Sequence, residues 1–162
     1  MPPQTPVHAA LDRFGREVGM ELHKRAWYQR ADEVVTACGL QKSQYGPSYY
    51  MNLGFNFTTL DADPHPHPER CHLRARIGEF VSDTEARELR ELLDLEASIA
   101  DSARESRLLD IFTRRLQPVI RRATTVDALR AMVADGTLPA YLLTRRAYEV
   151  MGIPLPAPER HQ

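Results

Sequence analysis

Residues 49–58, with the sequence YYMNLGFNFT, decide the fold because apolar side chains alternate there with polar or small ones. The odd-numbered positions after the first carry the apolar series Met51, Leu53, Phe55 and Phe57. A period of two places these side chains on one face of a β-strand, so the stretch is predicted to be a strand with one buried face. The even-numbered side chains are expected to face solvent.

Three further strands are predicted around this one. Residues 33–43 and 71–77 alternate in the same way, and residues 23–30 have the aromatic and charged composition of an edge strand. The connecting segments are a Tyr-Gly-Pro-Ser turn and a proline-rich loop at residues 61–69. Parallel strands need a crossover of about a dozen residues or more, so these short connections predict an antiparallel sheet.

Helices are predicted at both ends of this strand region. Residues 7–19 have helical spacing, and beyond residue 81 the apolar period changes to about 3.6. Ser82 or Asp83 is expected to cap the first of the later helices, Pro118 to bend or break the second, and Pro139 to start the fourth. The sequence therefore predicts an α+β fold: an antiparallel sheet of about four strands packed on one face by helices, with an all-helical C-terminal half.

The length of 162 residues suits one domain, which we expect over residues 7–152 between flexible, proline-rich termini at residues 1–6 and 153–162. Hydrophobic residues make up 43% and charged residues 27%, a composition that argues against wholesale disorder.

Charge and cysteine content narrow the functional classes. The formal net charge of −1 argues against bulk attraction to nucleic acid or to an anionic membrane. The chain contains no apolar run of the roughly 20 residues that a membrane helix needs. Two cysteines and an N-terminus without an export signal favour the reducing cytoplasm.

Two runs of sequence carry a resemblance to a known family. LQKSQYG at residues 40–46, followed by YYMNLG at residues 49–54, resembles the bacterial family called domain of unknown function 4304. The resemblance extends over roughly residues 11–152 and implies an N-terminal helix, an aromatic-bearing strand, this hairpin, a strand like CHLRARI and helices to the end. That family has no established activity, so the resemblance implies the fold and a bacterial cytosolic setting. Some small bacterial families of this kind accompany polymorphic toxins as immunity proteins.

A candidate binding face follows from the alternation of the strands. Side chains opposite the apolar face should collect on the outer side of the sheet: Gln41, Ser43, Tyr50, Asn52, Asn56, His72, Arg74 and Arg76. Arginine forks bind carboxylates and phosphates, so this face suits an anionic ligand, a strand of nucleic acid or an acidic patch on a partner. The alternative is an ordinary solvated face. Gly39 and Gly54 would leave a shallow groove there if they pair across strands, although glycine also marks bulges.

No metal, cofactor or catalytic site is predicted. His65, His67, Cys71 and His72 lie close together, but His-Pro-His-Pro is not a zinc spacing, and a strand would point Cys71 and His72 to opposite faces. The sequence has no nucleophile elbow, phosphate-binding loop, dinucleotide fingerprint or zinc-protease motif. Catalysis is therefore not the favoured interpretation.

The arginine-rich segment at residues 104–122 has two interpretations. It contains Arg104, Arg107, Arg114, Arg115, Arg121 and Arg122. These side chains are expected either to bind nucleic acid or an acidic partner, or to complement the preceding acidic helix with Glu85, Glu88, Glu91 and Asp94.

The sequence thus favours a bacterial cytosolic binding protein, an immunity or accessory factor that recognises another macromolecule such as a protein. One alternative is a small anionic-ligand-binding or hydrolytic domain that uses the polar sheet face. A second alternative, not favoured, is nucleic-acid binding through residues 104–122. The oligomeric state is left open.

Overall fold

The structure is a computed structural model that describes residues 4–155. In chain order these residues form α1 (Pro6–Val18), β1 (Glu21–His23), β2 (Ala26–Arg30), β3 (Val34–Lys42), β4 (Tyr49–Phe57), β5 (Leu73–Arg76), α2 (Asp83–Leu92), α3 (Asp101–Arg115), α4 (Gln117–Arg122), α5 (Val126–Ala134) and α6 (Arg145–Met151). Short 3₁₀ turns lie at Pro68–Arg70, Ile77–Phe80 and Ala140–Leu142.

The predicted flexible termini are only partly within the described residues. Residues 1–3 and 156–162 lie outside them. Within the predicted N-terminal segment, the Thr5 hydroxyl accepts the His8 backbone N–H at 3.1 Å, and Pro6 is the first residue of α1. Two residues of the expected N-terminal lead therefore belong to the start of a capped helix.

The five strands form one antiparallel sheet in the order β1-β2-β3-β4-β5, which confirms the antiparallel α+β fold. The expected count of about four strands was one short, because residues 23–30 are not a single edge strand. They contain the end of β1, a tight turn and β2. Lys24 makes this turn with a φ of 56°, a left-handed conformation that usually selects glycine or asparagine, so the sequence carried no turn signal.

The inner face of the sheet packs against the helices as predicted. The four odd-numbered apolar side chains of β4 are at most 1% exposed, in one core with residues of α1, α2 and α3. Gly15 lets α1 approach this face closely, because a Cβ at that position would lie 2.2 Å from Cδ2 of Trp27. A glycine inside a helix costs stability, and here close packing explains its presence.

The central part of the outer face of the sheet is covered, whereas the even-numbered side chains were expected to face solvent. Residues 61–72 cross it, and Asn52 and Asn56 are only 9% and 1% exposed. A Cβ on Gly54 would lie 2.6 Å from both Cys71 Sγ and the backbone oxygen of Pro68, and one on Gly39 would lie 3.2 Å from Pro68 Cγ. Gly39 pairs with Asn52 and Gly54 with Ala37, so the two glycines do not pair across the strands, and the chain's own loop fills the space above both.

The predicted start of α2 and the predicted break of the second helix at Pro118 are confirmed. Ser82 and Glu85 form a capping box at the start of α2, in which each side chain satisfies a backbone N–H of the other residue. The second predicted helix is divided into α3 and α4, with Pro118 in the first turn of α4. A proline lacks the N–H that a continuous helix would use, which accounts for the break.

The fourth predicted helix does not begin at Pro139. Residues Ala140–Leu142 form a 3₁₀ turn, Leu143 makes a β-bridge to Leu73 at the edge of β5, and Thr144 caps α6. The all-helical C-terminal half is thus interrupted by one extended residue that covers part of the sheet edge. Among residues 4–155, no helix combines the length and the apolar composition needed to cross a membrane.

Candidate functional site

Arg74 and Arg76 lie on the outer side of β5, and both are exposed. The Arg76 guanidinium carbon lies 3.9 Å from the centroid of the Tyr50 ring, a cation–π contact between neighbouring strands. Arg74 donates from Nη1 to the backbone oxygen of Glu69 at 3.0 Å. These two contacts hold both guanidinium groups at the surface beside the loop that covers the sheet.

A polar ridge fastens this loop to the sheet. The side-chain nitrogen Nδ2 of Asn52 donates to Gln41 Oε1 at 3.0 Å and to Glu69 Oε1 at 3.2 Å. Gln41 belongs to β3 and Asn52 to β4, whereas Glu69 belongs to the loop. The ridge therefore fixes the position of the loop relative to both central strands.

Two clefts flank the ridge, and both are bounded by Gln41, Asn52, Pro68 and Glu69. The smaller cleft, of about 420 Å³, lies towards β5 and also contains Arg74 and Arg76. The larger cleft, of about 830 Å³, lies between the β1–β2 turn and the loop. Its charged and titratable lining includes His23, Lys24, Arg25, Asp61, Asp63 and His65. We call the two clefts together the outer cleft.

Four of the eight predicted site residues thus share the smaller cleft, and Tyr50 adjoins it through Arg76. The other three predicted residues have different surroundings. The Ser43 hydroxyl accepts the Tyr45 backbone N–H at 3.1 Å within the β3–β4 turn, and buried Asn56 points towards the backbone oxygen of Asp61. Neither side chain lines the outer cleft.

His72 does not share the outer face with the two arginines. Its Nδ1 accepts the backbone N–H of Phe57 at 3.0 Å. Its ring is nearly parallel to the Phe57 ring, with the two centroids 5.6 Å apart. The strand prediction began at residue 71, but β5 begins at Leu73, so His72 lies before the alternation starts. Burial lowers the pKa of His72, which favours the neutral ring that this hydrogen bond requires.

A stacked pair of histidines joins the two walls of the larger cleft. The rings of His23 and His65 are parallel, with centroids 3.8 Å apart, and Tyr28 contacts His65 edge-on at 5.0 Å. His65 Nε2 also lies 3.4 Å from Glu21 Oε1. Burial raises the pKa of Tyr28. The pair links the β1–β2 hairpin to the loop and so sets the width of the cleft.

Sequence patterns did not predict the residues that the loop and the β1–β2 hairpin contribute to the outer cleft, among them Glu69 and Lys24. Both residues lie outside the strands, so no alternation of polar and apolar side chains identified them. The available signal was the pair of outward-facing glycines, Gly39 and Gly54, since glycine in a strand also indicates close approach of another backbone.

Within residues 4–155, no group of three or more His, Cys, Asp or Glu side chains is arranged to hold a metal ion. Burial raises the pKa of the Cys71 thiol to about 12, and burial also raises that of Cys38. Both thiols are therefore protonated at neutral pH, and neither is an activated nucleophile.

Arg104, which the sequence placed in an arginine stripe, is buried and only 2% exposed. Its guanidinium group donates to four backbone oxygens at 2.5–3.0 Å, those of Glu91, Leu92, Asp94 and Ala97. These carbonyls end α2 and follow it. The oxygens of Glu91, Asp94 and Ala97 also accept backbone N–H groups, so Arg104 matters most to the Leu92 oxygen, which a helix C-terminus would leave unpaired.

Most of the other arginines in the stripe pair with acidic side chains. Arg114 and Arg115 both bind Glu85, at 3.1 Å and 2.6 Å, and the hydrogen bond from Arg115 does most to lower the pKa of that carboxyl to about 2. Arg107 pairs with Glu88, and Arg122 with Asp135. The stripe thus complements acidic groups of this chain, as one of its two interpretations expected.

Comparison with known proteins identifies one family. Residues 16–124 match the family profile described as Domain of unknown function (DUF4304), a segment that contains the whole sheet and α2 to α4. No curated protein and no solved structure gives a significant match to the chain. The matched segment is more than half of the chain and includes the LQKSQYG and YYMNLG runs. The chain therefore belongs to the DUF4304 family, as the resemblance in its central hairpin implied.

Proposed function

We propose that this protein is a non-catalytic binding protein that recognises a partner protein through its outer cleft, as an immunity or accessory factor would. The observation that carries the proposal is the pair Arg74 and Arg76, exposed beside the cleft and next to Tyr50. Tyrosine and arginine are the residues in which protein interfaces and their energetic centres are enriched. A bacterial cytoplasm is part of the proposal and agrees with two free cysteines.

The charge distribution supports an acidic segment as the part of the partner that is bound. None of the ion pairs found in residues 4–155 includes Arg74 or Arg76. Their positive charges are therefore available to a carboxylate. In contrast, the acidic partners of the arginine-rich segment are already bound to Arg107, Arg114, Arg115 and Arg122. The outer cleft continues on both sides of the polar ridge, so an extended segment of a partner can contact both parts.

A small anionic ligand is the second candidate, because Asn52, Arg74 and Arg76 converge on a concave site. Glu69 and Glu79 line the same site and oppose a small anion placed between them. A partner protein avoids this repulsion by placing its own basic groups opposite the two glutamates. We therefore rank the partner protein first.

Nucleic-acid binding through residues 104–122 is ranked last. That binding draws its affinity from arginines that neutralise phosphates, and here Arg104 is buried while Arg107, Arg114, Arg115 and Arg122 are hydrogen-bonded within the chain. Binding of phosphates by these arginines would break the ion pairs that join α3 to α2.

The test is a comparison of three immobilised proteins exposed to a lysate of the native host. They are the wild type, the double variant Arg74→Ala/Arg76→Ala and the control double variant Arg13→Ala/Arg16→Ala, which removes the same charge from exposed positions on α1. We expect mass spectrometry to identify a protein that the wild type and the control retain and that the Arg74/Arg76 variant loses. Loss of two charge-assisted contacts should weaken the affinity for the purified partner by about a hundredfold or more.

Two results would contradict the proposal. One is a partner retained equally by all three proteins, which would place recognition elsewhere. The other is the recovery of no specific partner by the wild type. If instead a small anion such as phosphate or citrate raises the melting temperature of the wild type but not that of the Arg74/Arg76 variant, the second candidate is correct.

A further inference from the structure

A separate concave site lies on the other side of Arg76, where the sheet meets α2. β5 ends at Arg76, which pairs with Asn52, whereas β4 extends three residues further to Tyr49. On that side, the Tyr49 backbone N–H donates to the oxygen of Leu93 at 3.0 Å instead of to a strand. The early end of β5 leaves a space of about 480 Å³ between β4 and α2, which we call the edge pocket.

The floor of the edge pocket is apolar. Met51, Ile77 and Leu89 contribute to it from β4, a 3₁₀ turn and α2, and each is buried at its base. Ala86 also lines the pocket, and its short side chain leaves room beside Leu89. The volume falls within the range of about 300–1,000 Å³ that small-molecule sites occupy, and an apolar lining is typical of them.

The mouth of the pocket is positively charged. Arg76 and Arg90 line it and are both exposed, and neither takes part in the ion pairs found in residues 4–155. One carboxylate, that of Asp94, also lines the pocket, but its Oδ1 already accepts the Glu96 backbone N–H at 3.0 Å. Two guanidinium groups thus face the solvent above an apolar floor.

We propose that the edge pocket binds a small amphipathic carboxylate, such as a medium-chain fatty acid. The apolar part of this ligand lies against Met51, Ile77 and Leu89, and its carboxylate accepts hydrogen bonds from Arg76 and Arg90. Burial of the apolar part contributes affinity, while the paired arginines select the charged head group. The edge pocket shares Arg76 with the outer cleft, but Arg90 and Ala86 lie outside the outer cleft and Arg74 lies outside the edge pocket. Variants of Arg90 and Ala86 therefore test the edge pocket separately from the partner binding proposed above.

The test is a titration of the full chain with decanoate below its micelle concentration. Binding is measured by calorimetry and by the amide NMR signals of Gly78 and Ala86. We expect saturable binding with shifts centred on these two signals, and an affinity for decanol or acetate that is lower by about tenfold or more, since each lacks one half of the recognised chemistry. The variant Arg90→Gln should weaken decanoate binding by about tenfold or more.

The matched control is Arg87→Gln, which removes the same charge from an exposed position of α2 outside the pocket. It should leave decanoate binding unchanged, and Ala86→Leu, which fills the pocket, should reduce it.

Four outcomes would overturn the proposal: no saturable binding of decanoate, equal binding of decanoate and decanol, equal effects of the two arginine variants, or shifts centred on the outer cleft. Loss of a captured partner protein by Arg90→Gln, without any decanoate binding, would also overturn it and would assign the pocket to a protein interface.

Discussion

Substitution of Gly54 by alanine tests how the loop that forms the outer cleft is seated on the sheet. The added Cβ would lie 2.6 Å from the backbone oxygen of Pro68 and 2.6 Å from Cys71 Sγ. The sulfur belongs to a side chain that has some freedom to rotate, but the oxygen belongs to the backbone. The loop must therefore move outward by about 0.8 Å before that contact reaches the ordinary van der Waals range of 3.4–4 Å.

The expected cost follows from this displacement. Overpacking of this kind costs about 1–3 kcal/mol, and the reduced freedom of the unfolded chain returns about 0.4–1 kcal/mol of it. Movement of the loop also lengthens the hydrogen bond from Asn52 to Glu69, now 3.2 Å. We expect Gly54→Ala to lower the free energy of unfolding by about 1–2 kcal/mol, which is about 2–8 °C in melting temperature for a domain of this size.

The measurement is urea unfolding followed by circular dichroism, with Gly39→Ala as the matched control. At position 39 the nearest atom to the new Cβ is Cγ of the Pro68 ring at 3.2 Å, which can yield by a few tenths of an ångström. The control should stay within about 0.5 kcal/mol of the wild type. If Gly54→Ala is as stable as the wild type, or more stable, the loop does not lie on the sheet as described.

Three further substitutions test other parts of the structure. Gly15→Ala should lower the free energy of unfolding by about 2–3 kcal/mol and change the fluorescence of Trp27, because its Cβ would lie 2.2 Å from the indole ring; an unchanged spectrum and stability would contradict this packing. Arg104→Met should cost about 1.5–3 kcal/mol in urea unfolding, because the Leu92 oxygen loses its charged donor while the three neighbouring carbonyls keep only their backbone donors; a cost below about 0.5 kcal/mol would show that the Leu92 oxygen finds another partner. The depressed pKa of His72 means that its neutral ring stabilises the fold above pH 6.5 and that this contribution is lost as the pH falls below 6.5, whereas His72→Gln keeps an acceptor for the Phe57 N–H without titrating. The wild type should therefore lose more stability than the variant between pH 7 and pH 5, and parallel pH profiles would contradict the role assigned to the ring.

The sequence predicted the inner half of the molecule because side-chain alternation records which side chains the core buries. The series from Met51 to Phe57 identified β4 and the face that meets the helices, and the structure confirms both. Capping residues were equally informative, since Ser82 and Pro118 act through local backbone chemistry that needs no knowledge of distant segments.

The outer half was harder to predict because its contacts connect distant segments through the backbone. Pro68 lies over Gly39 and Gly54, and nothing in the polarity of the even-numbered strand residues records that a loop covers them. The β1–β2 hairpin was not predicted because Lys24, in its turn, adopts a left-handed backbone conformation that lysine does not favour. Of the candidate site, the arginines of β5 follow from alternation, whereas Glu69 requires the path of the loop.

Hydrogen–deuterium exchange of the complex with the captured partner tests the central claim most directly. If the outer cleft is the recognition surface, exchange should slow in residues 41–52 and 69–76 on binding and stay unchanged in α1 and α3. Protection confined to α3 and α4, with no change in those two segments, would contradict the claim and place recognition on the helical side of the molecule.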